Sequence, residues 1–245
     1  MTIEALRRDI APTGVLRVGI NYGNPVLAKR DQSSGALSGV AVDLARELAS
    51  RLGVPLELVG FESAGQMFAG LKTGAWDVAF LAIDPARANE LDFTAAYVEI
   101  EGTYLVPPGS ALRELSDIDR DGVQIGISAG SAYDLFLRRS LERAELVPAA
   151  DPNAAFELVV AGKVDAVAGV RQHLKANAAK LPGSRVFEGR FMVIEQALGI
   201  PKGRGDAVRF LRQFIEDAKA SGLVARTLEK AGVSGVSVAP PAPVS

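Results

Sequence analysis

Arginines that follow apolar runs are the residues of this chain best suited to binding an anion. Arg87 stands in the segment AIDPARANELDFTAAY (82–97), behind an apolar run and an Asp-Pro turn. Its planar guanidinium could offer two parallel donors to a carboxylate. The pattern alone equally describes a charged residue on a surface turn, and taken by itself it favours that ordinary role.

Nucleophilic and metal chemistry have few candidates in this sequence. The chain contains no cysteine and a single histidine, His173. Without cysteine there are no disulfides, thiolate nucleophiles or cysteine-based metal sites, and one histidine excludes a multi-histidine metal site within one chain. The sequence therefore predicts no metal and no cofactor, and it favours a surface or capping role for His173 over catalysis.

Composition predicts a globular protein with no nucleic-acid partner. The 245 residues are 48% hydrophobic and 23% charged, with a net charge of −2 and no long block of like charge. No apolar stretch approaches the roughly 18 residues of a membrane span. No apolar core of signal-peptide length precedes Gly14, so we expect either a cytoplasmic chain or one written without its export signal.

Strand-like and helix-like segments alternate along the chain, which predicts an α/β fold with right-handed crossovers. The first half has predicted strands at 15–20, 56–61 and 76–83 and helices at 39–53 and 65–74. The second half repeats this order with strands at 123–130, 145–150 and 164–170 and helices at 131–143, 152–163 and 171–180. A strand and turn (194–203) and a long helical stretch (206–230) complete the pattern.

The two halves share a short motif that indicates where a ligand would bind. Residues 70–83 and 157–170 both read as a helix end, a glycine, an aspartate and an apolar strand. In open α/β sheets the ligand site lies beyond the carboxyl ends of the strands. Residues just after the strands are therefore the candidate site residues.

Six ordered segments between about residues 14 and 233 resemble the periplasmic solute-binding proteins that serve ABC importers of polar amino acids (bacterial extracellular solute-binding protein family 3). They are GVLRVGI, LSGVAVDLARELASRLGV, LKTGAWDVAFLAIDPARANELDFTAAY, IGISAGSA, VVAGKVDAVAG and QALGIPKGRGDAVRFLRQFIEDAKASGLVARTLEKAG. The resemblance implies a type II periplasmic-binding-protein-like fold, in which two lobes, each with a mixed, mainly parallel sheet flanked by helices, are joined by a two-crossing hinge that closes around ligand. It places the first lobe at 1–103 and 196–245 and the second at 104–195. The Pro-rich composition of the chain's end predicts a disordered tail at about 235–245.

The resemblance also implies a set of carboxylate-binding residues. Arg87 occupies the place where the family's arginine holds the ligand's α-carboxylate. Ala82 lies at a position that often carries a hydroxyl, so here a contact would have to come from its backbone. Ser128, Ser131 and Ala132 match the turn at a helix start whose N–H groups reach the carboxylate, and Ser131 can at the same time cap that helix.

The amine end of the expected site departs from the family. Val170 stands where the family usually has an aspartate that pairs with the ligand's α-ammonium, and Arg171 follows it. Asn21 replaces an acid near the end of the first strand, and Tyr22 is the available aromatic shelf. These changes favour a small organic acid or dicarboxylate over a standard amino acid.

Two further residues of the first lobe are candidates for ligand contact. Gln66 could donate or accept a hydrogen bond, and Glu62 could restore an amine site if its side chain points inward.

The predicted function is therefore the non-catalytic solute-binding component of an ABC importer. It would act as a periplasmic monomer that presents a small anionic or zwitterionic solute to a membrane permease. The first alternative is an enzyme on the same scaffold, similar to cyclohexadienyl dehydratases, with Glu62, Glu101 and His173 as candidate acid-base groups, although no compact acid-base pair is visible. The second alternative is a cytoplasmic ligand-sensing binding protein.

Overall fold

A computed structural model describes residues 2–243 and resolves them into short strands and helices in alternation. The strands are β1 (Leu16–Asn21), β2 (Lys29–Arg30), β3 (Leu37–Ser38), β4 (Leu56–Phe61), β5 (Val78–Ala82), β6 (Leu91–Phe93), β7 (Val98–Val106), β8 (Gln124–Ser128), β9 (Glu145–Ala149), β10 (Ala166–Val170), β11 (Arg185–Val186), β12 (Met192–Pro201) and β13 (Ser237–Val238). The helices are α1 (Ile3–Ile10), α2 (Val40–Leu52), α3 (Ala64–Ala69), α4 (Ala132–Ser140), α5 (Pro152–Val160), α6 (Arg171–Ala178), α7 (Gly205–Ala220) and α8 (Leu223–Lys230). None of the helices in this described part is long and apolar enough to cross a membrane.

The chain divides into two structural units. Unit 1 comprises Met1–Glu99 and Glu195–Ser245, and unit 2 comprises Ile100–Ile194. The chain passes from one unit to the other within β7 and β12. The lobe boundaries expected from the sequence, at 103/104 and 195/196, fall inside the same two strands.

Unit 1 is built on a mixed sheet. Strand β1 pairs in parallel with β4 and β5, and β12 pairs antiparallel with β5, with Gln196 opposite Ala82. All five residues of β5 are buried, as expected for a strand covered on both faces. The carboxyl ends of β1, β4 and β5 therefore meet at one edge of this sheet.

Unit 2 repeats the arrangement with its own core. Strand β8 pairs in parallel with β9 and β10, and β7 pairs antiparallel with β10. Helix α5 is capped by Asp151, whose carboxylate accepts hydrogen bonds from the N–H groups of Asn153 and Ala154 at 2.8 and 2.9 Å. Its apolar face packs with β8 and β10 through the buried side chains of Phe156 and Val159.

The motif shared by the two halves has a common structural role. In unit 1 the Asp77 carboxylate accepts a hydrogen bond from the Arg17 N–H at 3.0 Å, and the Asp77 N–H donates to the Arg17 carbonyl at 2.8 Å. In unit 2 Asp165 makes the same two bonds with Gln124, both at 2.8 Å. The aspartate before each buried strand thus ties the start of that strand to its parallel neighbour.

Two sequence-based expectations about the C-terminal part are wrong. The predicted stretch 206–230 is two helices, α7 and α8, because Gly222 adopts a left-handed φ of 73° between them. The predicted disordered tail is ordered up to residue 243: β13 pairs with β7, and Ala239 is buried. Backbone pairing with Val98 and Glu99 at the start of β7 outweighs the tail's proline-rich composition, and residues 244–245 lie outside the described part.

Candidate functional site

Arg87 lies just beyond the carboxyl end of β5. The chain turns after the strand because the Asp84 carboxylate accepts a hydrogen bond from the Ala86 N–H at 2.8 Å. This turn directs the Arg87 side chain back to the strand end, where its Nη1 donates to the Ala82 carbonyl at 2.9 Å. The guanidinium carbon lies 6.0 Å from the centre of the Phe68 ring, and the residue has 0% of its surface exposed.

Burial governs the electrostatics of Arg87. Desolvation lowers the pKa of its guanidinium to about 10, and the nearby Asp84 carboxylate acts in the opposite direction. At neutral pH the group is therefore still a cation, held in surroundings where charge interactions are strong. Such a group can bind a carboxylate through charge-assisted hydrogen bonds.

The carboxyl end of β1 carries Asn21 and Tyr22. The Asn21 side chain accepts a hydrogen bond from the Gly23 N–H at 3.0 Å. A side chain at Gly23 would meet the Glu62 carbonyl oxygen at 1.9 Å, so the two strand-end loops approach as closely as only glycine permits. The Tyr22 hydroxyl accepts from Arg30 at 3.2 Å, and the Arg30 guanidinium lies over the tyrosine ring at 5.4 Å.

Tyr22 also borders an open pocket of unit 1 of about 300 Å³. The lining residues are Tyr22, Arg30, Gly35, Leu37, Leu58 and Gly60. Tyr22 is thus an aromatic wall with a cation above it, which is compatible with the shelf role expected from the sequence.

Glu62 and Gln66 flank the start of α3 and both are exposed. Ser63 caps the helix by accepting a hydrogen bond from the Gln66 N–H at 3.3 Å. The side chains of Glu62 and Gln66 make no hydrogen bond within residues 2–243. Their proposed contacts with ligand stay predictions.

In unit 2 the expected anion-binding turn is a closed helix cap. Ser131 accepts a hydrogen bond from the Asp134 N–H at 3.1 Å, so its capping role is real. The buried Asp134 carboxylate in turn accepts from the Gly130 N–H at 2.7 Å and pairs with Arg138 at 2.7 Å. The helix start therefore already holds an acid, which weakens the case for an additional anion at Ala132.

Ser128 lies at the end of β8 and is 1% exposed. The buried Tyr133 faces both Ser128 and Ser131, and burial raises the pKa of its hydroxyl to about 12 while hydrogen bonding to these serines lowers it. Ser128, Ser131 and Ala132 are thus brought together as predicted by their sequence spacing, in a compact cap within unit 2.

Val170 is the residue before α6, and Arg171 is the first residue of that helix. Arg171 Nε donates to the Glu101 carboxylate at 2.6 Å, and its two other nitrogens donate to the carbonyls of Phe187, Glu188 and Gly189, each at 2.8 Å. Four of the five N–H donors of the guanidinium are therefore used inside unit 2. Arg171 ties down the loop before β12, and this geometry gives no support to the prediction that it contacts ligand.

The candidate acid-base groups of the enzyme alternative are engaged in structural bonds or exposed. Glu101 pairs with Arg171 and with Arg190 at 3.1 Å, and although partial burial opposes it, these two cations lower the pKa of its carboxyl. Burial lowers the pKa of His173, whose Nε2 lies 2.8 Å from the Asn177 amide nitrogen. His173 is half-buried and in hydrogen-bond contact with Asn177, and the expectation of a surface or capping role instead of catalysis stays a prediction.

One buried polar residue of β12 was missed. Gln196 interrupts the apolar segment VIEQALGI of β12, is 5% exposed and lies opposite Ala82. A polar side chain inside a largely apolar strand was the available signal. Within residues 2–243 no group of His, Asp and Glu side chains is arranged to hold a metal ion.

Comparison with solved structures identifies the fold. A Neisseria gonorrhoeae solute receptor for L-cysteine superposes with a TM-score of 0.81 at 23% identity, covering 96% of both chains. The ancestral amino acid-binding protein AncCDT-1, a precursor of cyclohexadienyl dehydratase, gives 0.76 at 24% identity, covering 91% of this chain and 96% of that one. The predicted type II periplasmic-binding-protein fold is confirmed.

Sequence comparison identifies the family. The L-cystine-binding protein TcyJ of Escherichia coli strain K12 is 24% identical over 230 residues, covering 93% of this chain and 86% of that protein. The family model of bacterial extracellular solute-binding proteins, family 3, matches residues 16–233. This chain belongs to that family.

Proposed function

We propose that this protein is the solute-binding component of an ABC importer and that Arg87 binds the carboxylate of a small organic acid. The observation that carries the proposal is a buried guanidinium at the carboxyl end of β5, in a chain of the solute-binding family. The related TcyJ is named for L-cystine and the Neisseria receptor for L-cysteine. Both solutes contain a carboxylate, which supports a carboxylate ligand here.

The charge state of Arg87 supports the same conclusion. Desolvation lowers its pKa, which means that its surroundings compensate only part of the cost of a buried cation. A ligand carboxylate would offset part of the remainder, and a hydrogen bond to a charged group contributes roughly 1.5–3 kcal/mol.

The amine end favours a solute without a free ammonium. Val170 has no group that could accept a hydrogen bond from an ammonium, and Asn21 offers a neutral amide in place of an acid. A buried ammonium without a carboxylate partner would be costly. We therefore place hydroxy, keto or dicarboxylic acids ahead of standard amino acids, while amino acids remain the solutes named for the relatives.

A binding role is favoured over catalysis by the state of the candidate acid-base groups. Glu101 and His173 are held by partners of unit 2, and Glu62 is exposed. A dehydratase needs a group free to deliver a proton to the leaving group. The proposal includes a periplasmic location, a membrane permease as partner, a monomeric state and lobe closure around the solute.

A ligand screen by thermal shift tests the proposal. The panel contains amino acids, 2-hydroxy acids, 2-keto acids and dicarboxylates, assayed with the wild type and with Arg87→Met. A solute at 100 times its Kd should add roughly 2.7 kcal/mol of stability. We expect organic acids to stabilise the wild type and not the variant. Stabilisation by L-amino acids alone would overturn the organic-acid assignment, and turnover of arogenate or prephenate would overturn the non-catalytic role.

A further inference from the structure

A second hollow of unit 1, of about 260 Å³, lies where the start of α2 meets the end of α8. We call it the α2–α8 hollow. Three cations, one acid and two hydroxyl groups form its polar lining: Lys29, Arg46, Lys230, Asp43, Ser38 and Thr227. The cations exceed the acid by two charges, so the hollow is positive overall and favours an anion.

The single acid of the α2–α8 hollow is shared by two of its cations. The Asp43 carboxylate accepts a hydrogen bond from Arg46 at 2.8 Å and another from Lys230 at 2.9 Å. The Asp43 side chain is 16% exposed, whereas the side chains of Arg46 and Lys230 are 56% and 73% exposed. Each cation therefore keeps further N–H donors that a ligand entering from solvent can reach.

Lys29 is the third cation of the hollow and lacks an acidic partner. Its Nζ donates to the Ala231 carbonyl at 3.2 Å, and within residues 2–243 it forms no ion pair. The next acid along α2, Glu47, is already paired with Arg51 at 2.9 Å. A carbonyl binds an ammonium less strongly than a carboxylate does, so Lys29 is the cation that would gain most from an added anion.

The α2–α8 hollow is separate from the proposed solute site. The strand order β4-β1-β5 means that the crossovers through α2 and through α3 run in opposite directions across the sheet. Right-handed crossovers that run in opposite directions place their helices on opposite faces. Because Arg87 lies beside Phe68 of α3, the hollow at the start of α2 belongs to the other face of the sheet.

The side chains of the hollow indicate which anion would fit. An excess of two positive charges is balanced by a dianion, whereas a monoanion would leave one charge uncompensated. Arginine binds phosphate oxygens through its planar fork, and lysine binds them as a point charge. The hydroxyl of Ser38 adds a neutral donor to this set.

We propose that the α2–α8 hollow binds a doubly charged phosphate group, carried either by a free phosphate ester or by a lipid headgroup. A headgroup would hold unit 1 at a membrane surface, whereas a free ester would leave the protein in solution. The inference goes beyond the proposed function and does not rest on it, because the hollow shares no residue with the candidate solute site.

Calorimetric titration with glycerol 3-phosphate tests the free ester. It is done at low salt and at about pH 8, where the phosphate is a dianion because its second pKa is near 6. Lys29→Gln should weaken binding about three- to tenfold, since a hydrogen bond between two charged groups becomes one to a neutral amide. Asp43→Asn should strengthen binding, because the acid that competes for Arg46 and Lys230 loses its charge.

Co-sedimentation with vesicles tests the lipid source. Vesicles of equimolar phosphatidylcholine and phosphatidic acid should retain the wild type if a headgroup is the occupant, and pure phosphatidylcholine vesicles should not. In both assays Lys72→Gln is the matched control, because it removes an exposed cation elsewhere in unit 1. Binding in either assay that Lys29→Gln weakens and Lys72→Gln does not would support the inference and identify the source.

Four results would overturn the inference. They are no binding in either assay, equal binding by Lys29→Gln and Lys72→Gln, weaker binding by Asp43→Asn, and acetate bound as tightly as glycerol 3-phosphate. Phosphate binding that is lost in Arg87→Met and kept in Lys29→Gln would overturn it as well, because the anion would then occupy the Arg87 site.

Discussion

Two buried arginines follow corresponding strands, one in each unit, and they are held differently. Arg171 comes directly after β10 and donates to one carboxylate and three backbone carbonyls of its own unit. Arg87 follows β5, bonds to the Ala82 carbonyl and lies near Asp84 and the Phe68 ring. Both side chains are at least nine-tenths buried.

The difference shows that position after a strand does not by itself make a ligand residue. Unit 2 supplies Arg171 with its own carboxylate, Glu101, so a solute would have to displace an existing ion pair. Arg87 lies near the Asp84 carboxylate, which raises the pKa of the guanidinium, while desolvation lowers it by more. We propose a binding role for the unit-1 arginine because it lies at the carboxyl end of β5, and a structural role for the unit-2 arginine because of its four bonds within unit 2.

The largest effect should come from removing the structural arginine. Arg171→Met removes the donor that Glu101 and three backbone carbonyls share, and we expect a loss of about 3 kcal/mol in the free energy of unfolding. Urea denaturation measures it, with Arg226→Met on the exposed face of α8 as the control. Unchanged stability combined with lost solute affinity would reverse the roles assigned to the two arginines.

The next largest effect should be a difference in stability between variants of Asp77 and Asp165, the aspartates before β5 and β10. Asp77 is 2% exposed and forms an ion pair with Arg17 at 2.6 Å as well as its backbone bond, whereas Asp165 is exposed. Asp77→Asn should cost about 2 kcal/mol of stability, and Asp165→Asn clearly less. Equal losses in a denaturant titration would mean that the backbone bond alone accounts for both.

A smaller, pH-dependent effect should arise in unit 2 from His173. Burial is the main cause of the lowered pKa of the imidazole, and a hydrogen bond to the Pro152 backbone carbonyl opposes the shift. Protonation would place an Nε2–H group against the Asn177 amide nitrogen, because the amide oxygen of Asn177 already accepts from Lys180 at 2.9 Å. The unfolded chain takes up the proton near pH 6.5, before the folded one does. Stability should therefore fall as pH drops below about 6.5, by at most about 1.4 kcal/mol per pH unit.

The variant His173→Gln isolates that effect. It should lack this component of the pH dependence between pH 6.5 and 5 while keeping the contribution of the carboxylates. Identical pH profiles for the wild type and the variant would show that the imidazole is not buried in its neutral form.

The smallest expected effect is a gain in affinity for L-amino acids from a substitution at Val170 in unit 2. Val170→Asp restores the acid expected in the family and also supplies a favourable residue before α6. Its affinity for L-amino acids should rise about tenfold over that of the neutral control Val170→Asn, since a hydrogen bond between two charged groups replaces one to a neutral amide oxygen. Equal affinity in the two variants would show that this position does not contact the amine.

The sequence predicted the sheet framework well because buried strands and amphipathic helices have clear periodicity. The shared Gly-x-x-Asp motif located β5 and β10, whereas the equivalent backbone bonds of the two aspartates are seen only in the structure. The prediction of a disordered tail was wrong because β13 forms by pairing with β7, a long-range contact that proline-rich composition does not reveal.

For the candidate site, the family resemblance singled out Arg87 and local pattern predicted the Ser131 cap, but neither could distinguish the roles of the two arginines. That distinction depends on Glu101, 70 residues before Arg171 in sequence, and on the carbonyls of a loop that follows α6. Gln196 was missed for the same reason, since its position opposite Ala82 comes from an antiparallel pairing between distant segments.

The central claim is that Arg87 binds the solute's carboxylate. Its most direct test is the Kd of the acid that stabilises the wild type most, measured by calorimetry for the wild type, Arg87→Met and Arg226→Met. A hydrogen bond to a charged group contributes roughly 1.5–3 kcal/mol to binding. Its loss predicts that the Kd increases at least about tenfold in Arg87→Met and does not change in Arg226→Met. A folded Arg87→Met variant that binds the acid as tightly as the wild type would contradict the claim.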